Sequence, residues 1–531
     1  MPTDKITFQN AGYFSKLMVD YLNQEDNLKH LYNHFPTLQN FKQQIDEKRV
    51  NYPTANRAVL SQALLSQYKN TKVSDNTIEN IHALTQENTY TVTTGHQLNL
   101  FTGPLYFLYK IISVIKLAKE LKTKYPTDHF VPVYWMATED HDFEEINHFV
   151  FEEKVICWNK ESKGPVGRLS TKGLDKVFEV FQSHIGVGIN ATYIKELFEN
   201  AYLKHDTLTA ATRYLANELF AAYGLVIIDG DDAALKKLFT PHIKEELLQQ
   251  SAIKEVEKSY ATLADYFIQV NPREINLFYI QDNLRERIIF EDEVYKINNT
   301  TITFSKEALL EELEHHPERF SPNVILRPLY QEVILPNLCY TGGGGELAYW
   351  LELKSVFDLH KVTFPMLLLR NSVLLATSKQ VEKMDKLGLS WKDIFQKQEQ
   401  LINAKTEEYS TIQFDFDQQR QFLEEQFESL EKIALQTDQS FVGAVNAQKT
   451  KQLKGLDNLE KRLRKAEKRK YADQLNRVVL LQNELFPNQS LQERRENFSA
   501  FYKAFGNQLI NRLFEQLTPL DQNFDTITLE G

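Results

Sequence analysis

A strand–helix–strand unit between Tyr90 and His148 constrains this chain more than any other stretch. The β-branched run 91–94 stops at Gly95. A loop of Gly, Asn and Thr follows, and Pro104 then opens a long apolar helix over 105–121, broken at 125–128. A second strand, 130–137, ends in Glu139, Asp140, His141 and Asp142. Strands joined through a helix lie parallel, and ligands of parallel sheets gather where the strands end at their carboxyl side. Both strands here end in a polar cluster, so those ends are the candidate site.

The first cluster holds Gly95, His96 and Gly103. Its glycines read either as turn residues that permit positive φ or as a loop whose amides, with the following helix N-terminus, face an anion. Neither GxxxxGK[ST] nor GxGxxG is present. Lys110, two turns into the helix, could sit on the buried side or reach the loop. In the second cluster His141, flanked by carboxylates, reads as a general base held in one tautomer or as a metal ligand. Asp142 could instead cap a short helix over 143–146.

Later strand ends repeat the pattern. The strand 225–229 ends in Asp229, Gly230, Asp231 and Asp232, where Asp231 or Asp232 caps a helix or meets a ligand. Residues 323–331 return to the core. Gly342, Gly343, Gly344 and Gly345 precede Glu346 and a helix over 347–359; they read as a hinge or as a backbone that puts amides on a ligand, with Tyr349 and Trp350 close by. A last core strand, 365–370, ends in Arg370, suited to an anionic group.

At 531 residues the chain exceeds one ordinary core. Hydrophobic content of 42% and charged content of 25% fit a globular protein. The net charge of −11 argues against a general nucleic-acid binder. No basic-then-apolar leader opens the sequence, and no apolar run reaches the roughly 18 residues that span a bilayer. Cys157 and Cys339 form no CxxC, which fits a reducing cytoplasm without a disulfide framework or a Cys-based zinc site.

The expected organisation is an α/β protein. A helical part, 1–88, packs on a parallel-sheet core made of 89–148, 191–245 and 323–372. Segments 149–190 and 246–322 are insertions, the second containing short antiparallel strands. Residues 191–223 and 238–270 read as long helices. From 373 to 496 Gly and Pro are scarce, and Leu423, Phe427, Leu430 and Ala434 recur at four, three and four; Leu456, Leu459, Leu463 and Ala466 do nearly the same. This predicts an antiparallel coiled coil bent near Gly443, of the kind that carries self-association. The basic run 461–470 reads first as a solvated helix face. A final helix, within 497–531, folds back on the core.

TGHQLNLFTGPLYFLYK, PVYWMATEDHDFEEINH, RPLYQEVILPN, GGGGELAYWLELK and MLLLRNS together resemble the cysteine ligase family of bacillithiol biosynthesis (BshC). The resemblance covers nearly the whole chain. It implies a Rossmann-like core with two connecting insertions, a coiled coil that forms a homodimer, and attachment of cysteine to the amine of glucosaminyl-malate. Two departures stand out: His96 where a second Gln of TGQQ is expected, and Gly343-Gly344 where GPGE is expected. TGHQ is also loosely similar to the HxGH of adenylate-forming nucleotidyltransferases.

On this reading ATP activates the cysteine carboxyl group, ADP or AMP leaves, and Mg²⁺ accompanies the nucleotide. The Gly95 and 342–345 loops hold phosphates, and His96 or Lys110 offsets developing charge. His141, oriented by Asp140 or Asp142 beside Glu139, takes the amine proton. Gln97, Asn99, Arg327 and Gln331 complete the binding set from the matched motifs, and Arg370 meets a malate carboxylate. No dedicated metal site is expected. Two other readings remain: an adenylate-forming enzyme for another acid, and a non-catalytic nucleotide-binding dimeric scaffold.

Overall fold

The computed structural model describes residues 5–530. It divides into two units, 1–375 with 491–531, and 376–490. The first is built on five parallel strands: β1 (Thr89–His96), β2 (His129–Met136), β3 (Val226–Asp229), β4 (Asn337–Gly342) and β5 (Met366–Leu369). Their order across the sheet is β5-β4-β1-β2-β3. The order in which strands are added reverses between β1 and β4, which is the switch point of a doubly wound Rossmann-like sheet.

The central strands are buried along nearly their whole length. That is why they read as continuous β-branched and aromatic runs rather than alternating ones. Helix α1 (Tyr106–Lys124) crosses from β1 to β2 and is apolar almost all round; Phe107, Leu108, Ile111, Val114, Ile115 and Leu117 are buried. A helix buried on every side needs a second layer over it. The C-terminal segment supplies part of that layer, with Lys116 donating to the Phe514 carbonyl at 2.5 Å.

The insertions differ in kind. Residues 148–157 form a two-stranded hairpin. The second insertion carries four antiparallel strands, Leu277–Gln281, Leu284–Glu291, Val294–Ile297 and Thr303–Phe304, joined at one edge by Phe320–Pro322. A three-stranded sheet of Lys5–Thr7, Asn523–Leu529 and Ser372–Thr377 was not anticipated. Lys5–Thr7 has only 3 residues, and its partner strand Asn523–Leu529 lies at the opposite end of the sequence.

Several long helices are broken. The 191–223 stretch is Ile189–Tyr202 and Leu208–Phe220, the second begun by Thr207, whose side chain accepts from the Ala210 amide at 3.2 Å. The 238–270 stretch is α2 (Ala233–Gln249) and Ser251–Tyr260, parted at Gln250 with φ of 50°. In place of one helix over 347–359 stand α4 (Gly344–Trp350) and Lys354–His360, preceded by α3 (Arg327–Ile334).

In the second unit α5 (Asp417–Ala434) and α6 (Gln439–Lys470) form the hairpin. Leu423, Phe427, Ala434, Val442 and Val445 pack between them, and Arg420 pairs with Asp457 at 2.8 Å. The bend falls at 435–438, not at Gly443, because Asp438 caps α6 by accepting from the Ser440 and Phe441 amides at 2.8 and 3.1 Å. Gly443 lies inside the helix. Leu430 and Leu459 face outward and are about half exposed (44% and 53%), so the seam is narrower than the spacing implied.

Candidate functional site

A cavity of about 360 Å³ opens at the carboxyl ends of β1, β2 and β4, at the switch point. β1 and the loop after it contribute Gly95, His96 and Gln97; β2 and its loop contribute Trp135 to Asp140. Tyr106 and Lys110 enter from α1, Tyr340 from β4, and Arg327, Glu346 and Tyr349 from α3 and α4. The second insertion adds Arg285, and Pro322, Asn323 and Val324 complete the wall.

The 137–140 loop is held on every side. Ala137 donates its amide to the His96 carbonyl at 3.1 Å. From the first insertion, the Val166 and Gly167 amides donate to the Asp140 and Thr138 carbonyls at 2.7 and 2.8 Å. A Cβ on Gly167 would lie 2.6 Å from that of Thr138, so only glycine permits this approach. Beneath the loop, Lys236 of α2 lies 2.7 Å from Glu139 and 2.9 Å from Asp231. Burial pushes the Lys236 ammonium down, but the two carboxylates outweigh burial and hold it above its ordinary value. Asp231 also receives Arg168 of the first insertion at 2.7 and 3.0 Å, and Asp232 caps α2.

Asp140 is the anion most firmly fixed on the wall. Burial alone would raise its carboxyl. Hydrogen bonds from His141 and Gln97 (Nε2 at 3.0 Å), with the Arg285 charge, hold it well below the usual carboxylate range. Glu346 is also a firm anion: burial is outweighed by Lys110, 2.6 Å away.

Thr138 donates to Asp229 at 2.5 Å. Burial and Asp231 push the Asp229 carboxyl up to about 6. An acid raised in the folded state favours folding while protonated. Its contribution is full below about pH 4 and is lost as pH climbs through about 6. Asparagine at 229 keeps an acceptor for Thr138 and for the Asp231 amide (2.9 Å) without titrating. The thermal midpoint of Asp229→Asn, relative to wild type, should therefore rise between pH 4 and 7, by at most about 2–3 kcal/mol of stability. Parallel pH–stability curves would refute this.

Several expected residues do other work. The Gly342, Gly343, Gly344 and Gly345 run does not line the cavity. None of its φ angles is positive. The Gly343 amide donates to the Glu346 side chain at 3.1 Å, so a carboxylate already caps α4. A Cβ at Gly344 would press on Met18 at 3.2 Å, a packing role the sequence did not suggest. Gly95 matters for a different approach: a Cβ there would sit 2.9 Å from the Tyr340 hydroxyl. Gly103 (φ 63°) is a turn glycine packed on Asn99, which donates to the Glu145 carbonyl at 3.2 Å. Asn99 and Gly103 thus shape the loop from behind the wall.

Asp142 caps the 143–146 helix, accepting from the Glu145 amide at 3.4 Å. Gln331 is buried against Arg327 and Glu332. Trp350 stacks behind Tyr340, ring centroids 4.6 Å apart. Arg370 is buried off the cavity wall, bound to Glu493 at 2.8 Å, with its guanidinium 4.9 Å from the Tyr106 ring centroid. His141 stands at the rim, its side chain half exposed, with Nδ1 2.7 Å from Arg285 Nη1.

His96 is on the wall but buried, and burial first, then the Lys110 charge, pushes its imidazole down to about 3. Its Nε2 lies 3.3 Å from the Thr102 carbonyl. It is neutral at working pH and cannot offset negative charge. A His96→Gln enzyme should keep the shape of the wild-type activity profile from about pH 5 to 9, since residue 96 does not titrate there. Loss of an ionisation from that profile would show that His96 supplies it.

Arg285, Tyr340, Tyr106 and Thr138 were missed. Arg285 lies on an antiparallel strand 144 positions from its neighbour His141, and no local motif marks it. Tyr340 carried a signal: a bulky aromatic near the end of a strand, two residues before a glycine run. Among the described residues no cluster of three or more His, Cys, Asp or Glu side chains is placed to hold a metal, and no helix is long and apolar enough to cross a membrane.

A Rossmann-like unit with a site at its switch point, followed by a helical-hairpin unit, defines a two-domain class of protein. Two family models match it consecutively: "Bacillithiol biosynthesis BshC, N-terminal Rossmann-like domain" over residues 1–371, and "Bacillithiol biosynthesis BshC, C-terminal coiled-coil domain" over 373–529. The chain belongs to the BshC family of bacillithiol biosynthesis. A relative from Flavobacterium johnsoniae is 62% identical over 529 residues, covering 100% of both chains. One from Flavobacterium psychrophilum is 60% identical over 528 residues, covering 99% of each. One from Bacillus cereus is 28% identical, covering 97% of this chain and 98% of its own. All three carry the name "Putative cysteine ligase BshC", which denotes an enzyme that forms a carbon–nitrogen bond with cysteine.

Proposed function

We propose that this chain joins the carboxyl group of L-cysteine to the amine of glucosaminyl-malate, forming the amide of bacillithiol. Family membership supplies the pathway. The observation that carries the reading is the charge layout of the cavity: Glu139 and Asp140 on one loop, with Arg285 and Arg327 also on the wall. Substrates bearing both an amine and carboxylates need both signs of charge in one site. The Asp140 carboxylate accepts a hydrogen bond from the attacking amine and stabilises the positive charge that develops on its nitrogen.

Amide formation needs an activated carboxyl group, and ATP with Mg²⁺ would supply it as an adenylate or an acyl phosphate. The glycine run is not favoured for phosphates, because none of its residues lines the cavity and the Gly343 amide already meets Glu346. The guanidinium groups of Arg285 and Arg327 do fit an anionic group. The test is product formation: the purified chain with cysteine, glucosaminyl-malate, ATP and Mg²⁺, analysed by mass spectrometry. Cysteinyl amide with AMP or ADP supports the reading, the nucleotide product identifying the intermediate. Nucleotide bound but no amide formed would favour the scaffold reading.

The hairpin is proposed as a homodimer contact. Phe422, Leu430, Ile433, Leu435, Phe441 and Leu459 are exposed on it, a row of large apolar side chains that a second copy would cover. Light scattering should give twice the chain mass, 61.9 kDa. Leu430→Glu with Ile433→Glu should reduce it to one chain mass; an unchanged dimer would place the contact elsewhere.

A further inference from the structure

Resting on the ligase reading, we propose that Arg285 and Arg327 are the anion-binding pair of the cavity, gripping a substrate carboxylate or phosphate, and that His141 is a positioning residue for Arg285 rather than the base. Both guanidinium groups line the cavity from different elements. Each keeps a buried N–H group without a protein partner, Nε in Arg285 and Nη2 in Arg327. Buried donors are normally satisfied, and unpartnered donors on two residues that share one cavity wall are donors a bound anion could satisfy. Lys110, the other cation on the wall, is already taken by Glu346 and by the Gly95 carbonyl at 2.7 Å.

Arg285 is held by an aromatic ring and an imidazole, with the Asp140 and Glu139 charges also acting on it. Its guanidinium lies over the Phe278 ring, 3.8 Å from the centroid, and its Nη1 donates to His141 Nδ1 at 2.7 Å. A ring face and one nitrogen acceptor use one of its donors, so N–H groups remain for an incoming anion. Accepting at Nδ1 makes His141 the neutral tautomer protonated at Nε2, with its ring 5.8 Å from Phe278. The second insertion is thereby tied to the 139–142 loop, and the site is complete only when that insertion is docked.

The KM-to-kcat split decides. Arg285→Gln should raise KM for one anionic substrate roughly tenfold or more, leaving kcat within about threefold. A rise for glucosaminyl-malate assigns the pair to a carboxylate, and a rise for ATP assigns it to a phosphate. Arg285→Lys should fall between. His141→Ala should raise the same KM, and His141→Asn, whose Oδ1 replaces Nδ1 as acceptor, should restore it. If His141 were the base, both variants would lose kcat with KM unmoved, and this outcome overturns its assignment. Calorimetric titration of the full chain with L-malate, inorganic phosphate and ATP gives a second readout that does not need turnover. Wild type should bind at least one of them, and Arg285→Gln should bind it about tenfold more weakly. If no amide forms but this binding difference holds, the ligase reading fails and the anion pair stands. If amide forms and Arg285→Gln matches wild type in every KM and every titration, the pair is refuted.

Discussion

An Asp140→Asn enzyme should form the amide with kcat/KM lowered about a hundredfold, while folding as wild type does. The estimate follows from what the change removes. A hydrogen bond to a charged group contributes about 1.5–3 kcal/mol, and each 1.4 kcal/mol is a factor of ten, so losing the charge opposite a developing ammonium costs on the order of 10². The shape barely changes. Asn keeps the Oδ1 acceptor that meets the His141 amide at 2.8 Å, and the Val166 amide still binds the main-chain carbonyl. The lost oxygen is the one facing Gln97 Nε2, which also donates to Glu145 at 2.7 Å. Steady-state kinetics with each substrate varied, beside a thermal melt, checks this. An Asp140→Asn enzyme within threefold of wild type would take the amine away from this wall. Loss of activity together with a collapsed melt would mean that Asp140 only supports the loop.

The central unit was readable because its signals are local. A β-branched run, a glycine, a proline-opened apolar helix and a second apolar strand with acids after it occupy fewer than 60 consecutive positions, about what one strand–helix–strand unit needs. Its strand ends meet at one cavity because parallel strands all finish on the same side. What could not be read depends on approach between distant segments. Gly95 looks like a loop glycine until Tyr340 comes from another strand to sit against it. His141 looks like a base because carboxylates flank it in sequence, yet its ring turns to Arg285 on an insertion. The four glycines suggested a hinge or a ligand-binding backbone, but Glu346, directly after them, takes the Gly343 amide. The hairpin bend moved from Gly443 to Asp438 because a helix cap terminates more strongly than an interior glycine.

Arg370 shows the same limit, and its partner gives the largest stability effect expected. Glu493 is 1% exposed. It accepts from Arg370 Nη2 at 2.8 Å, Ser372 Oγ at 3.2 Å and the Val373 amide at 3.0 Å, joining the end of β5 to the C-terminal segment. Glu493→Ala would leave a buried guanidinium, a hydroxyl and an amide without that partner, and should destabilise this unit by about 3–5 kcal/mol. Urea denaturation followed by tryptophan fluorescence reads it, since Trp135, Trp158 and Trp350 all lie in this unit. A reciprocal change separates charge from packing. Arg370→Met in the Glu493→Leu background removes both charges, so it should recover part of the loss, but not all, because the Val373 amide stays buried and unsatisfied. If Arg370 instead held substrate, Arg370→Met alone would raise KM with little change in the urea midpoint. The buried pair predicts the reverse, a large drop in midpoint.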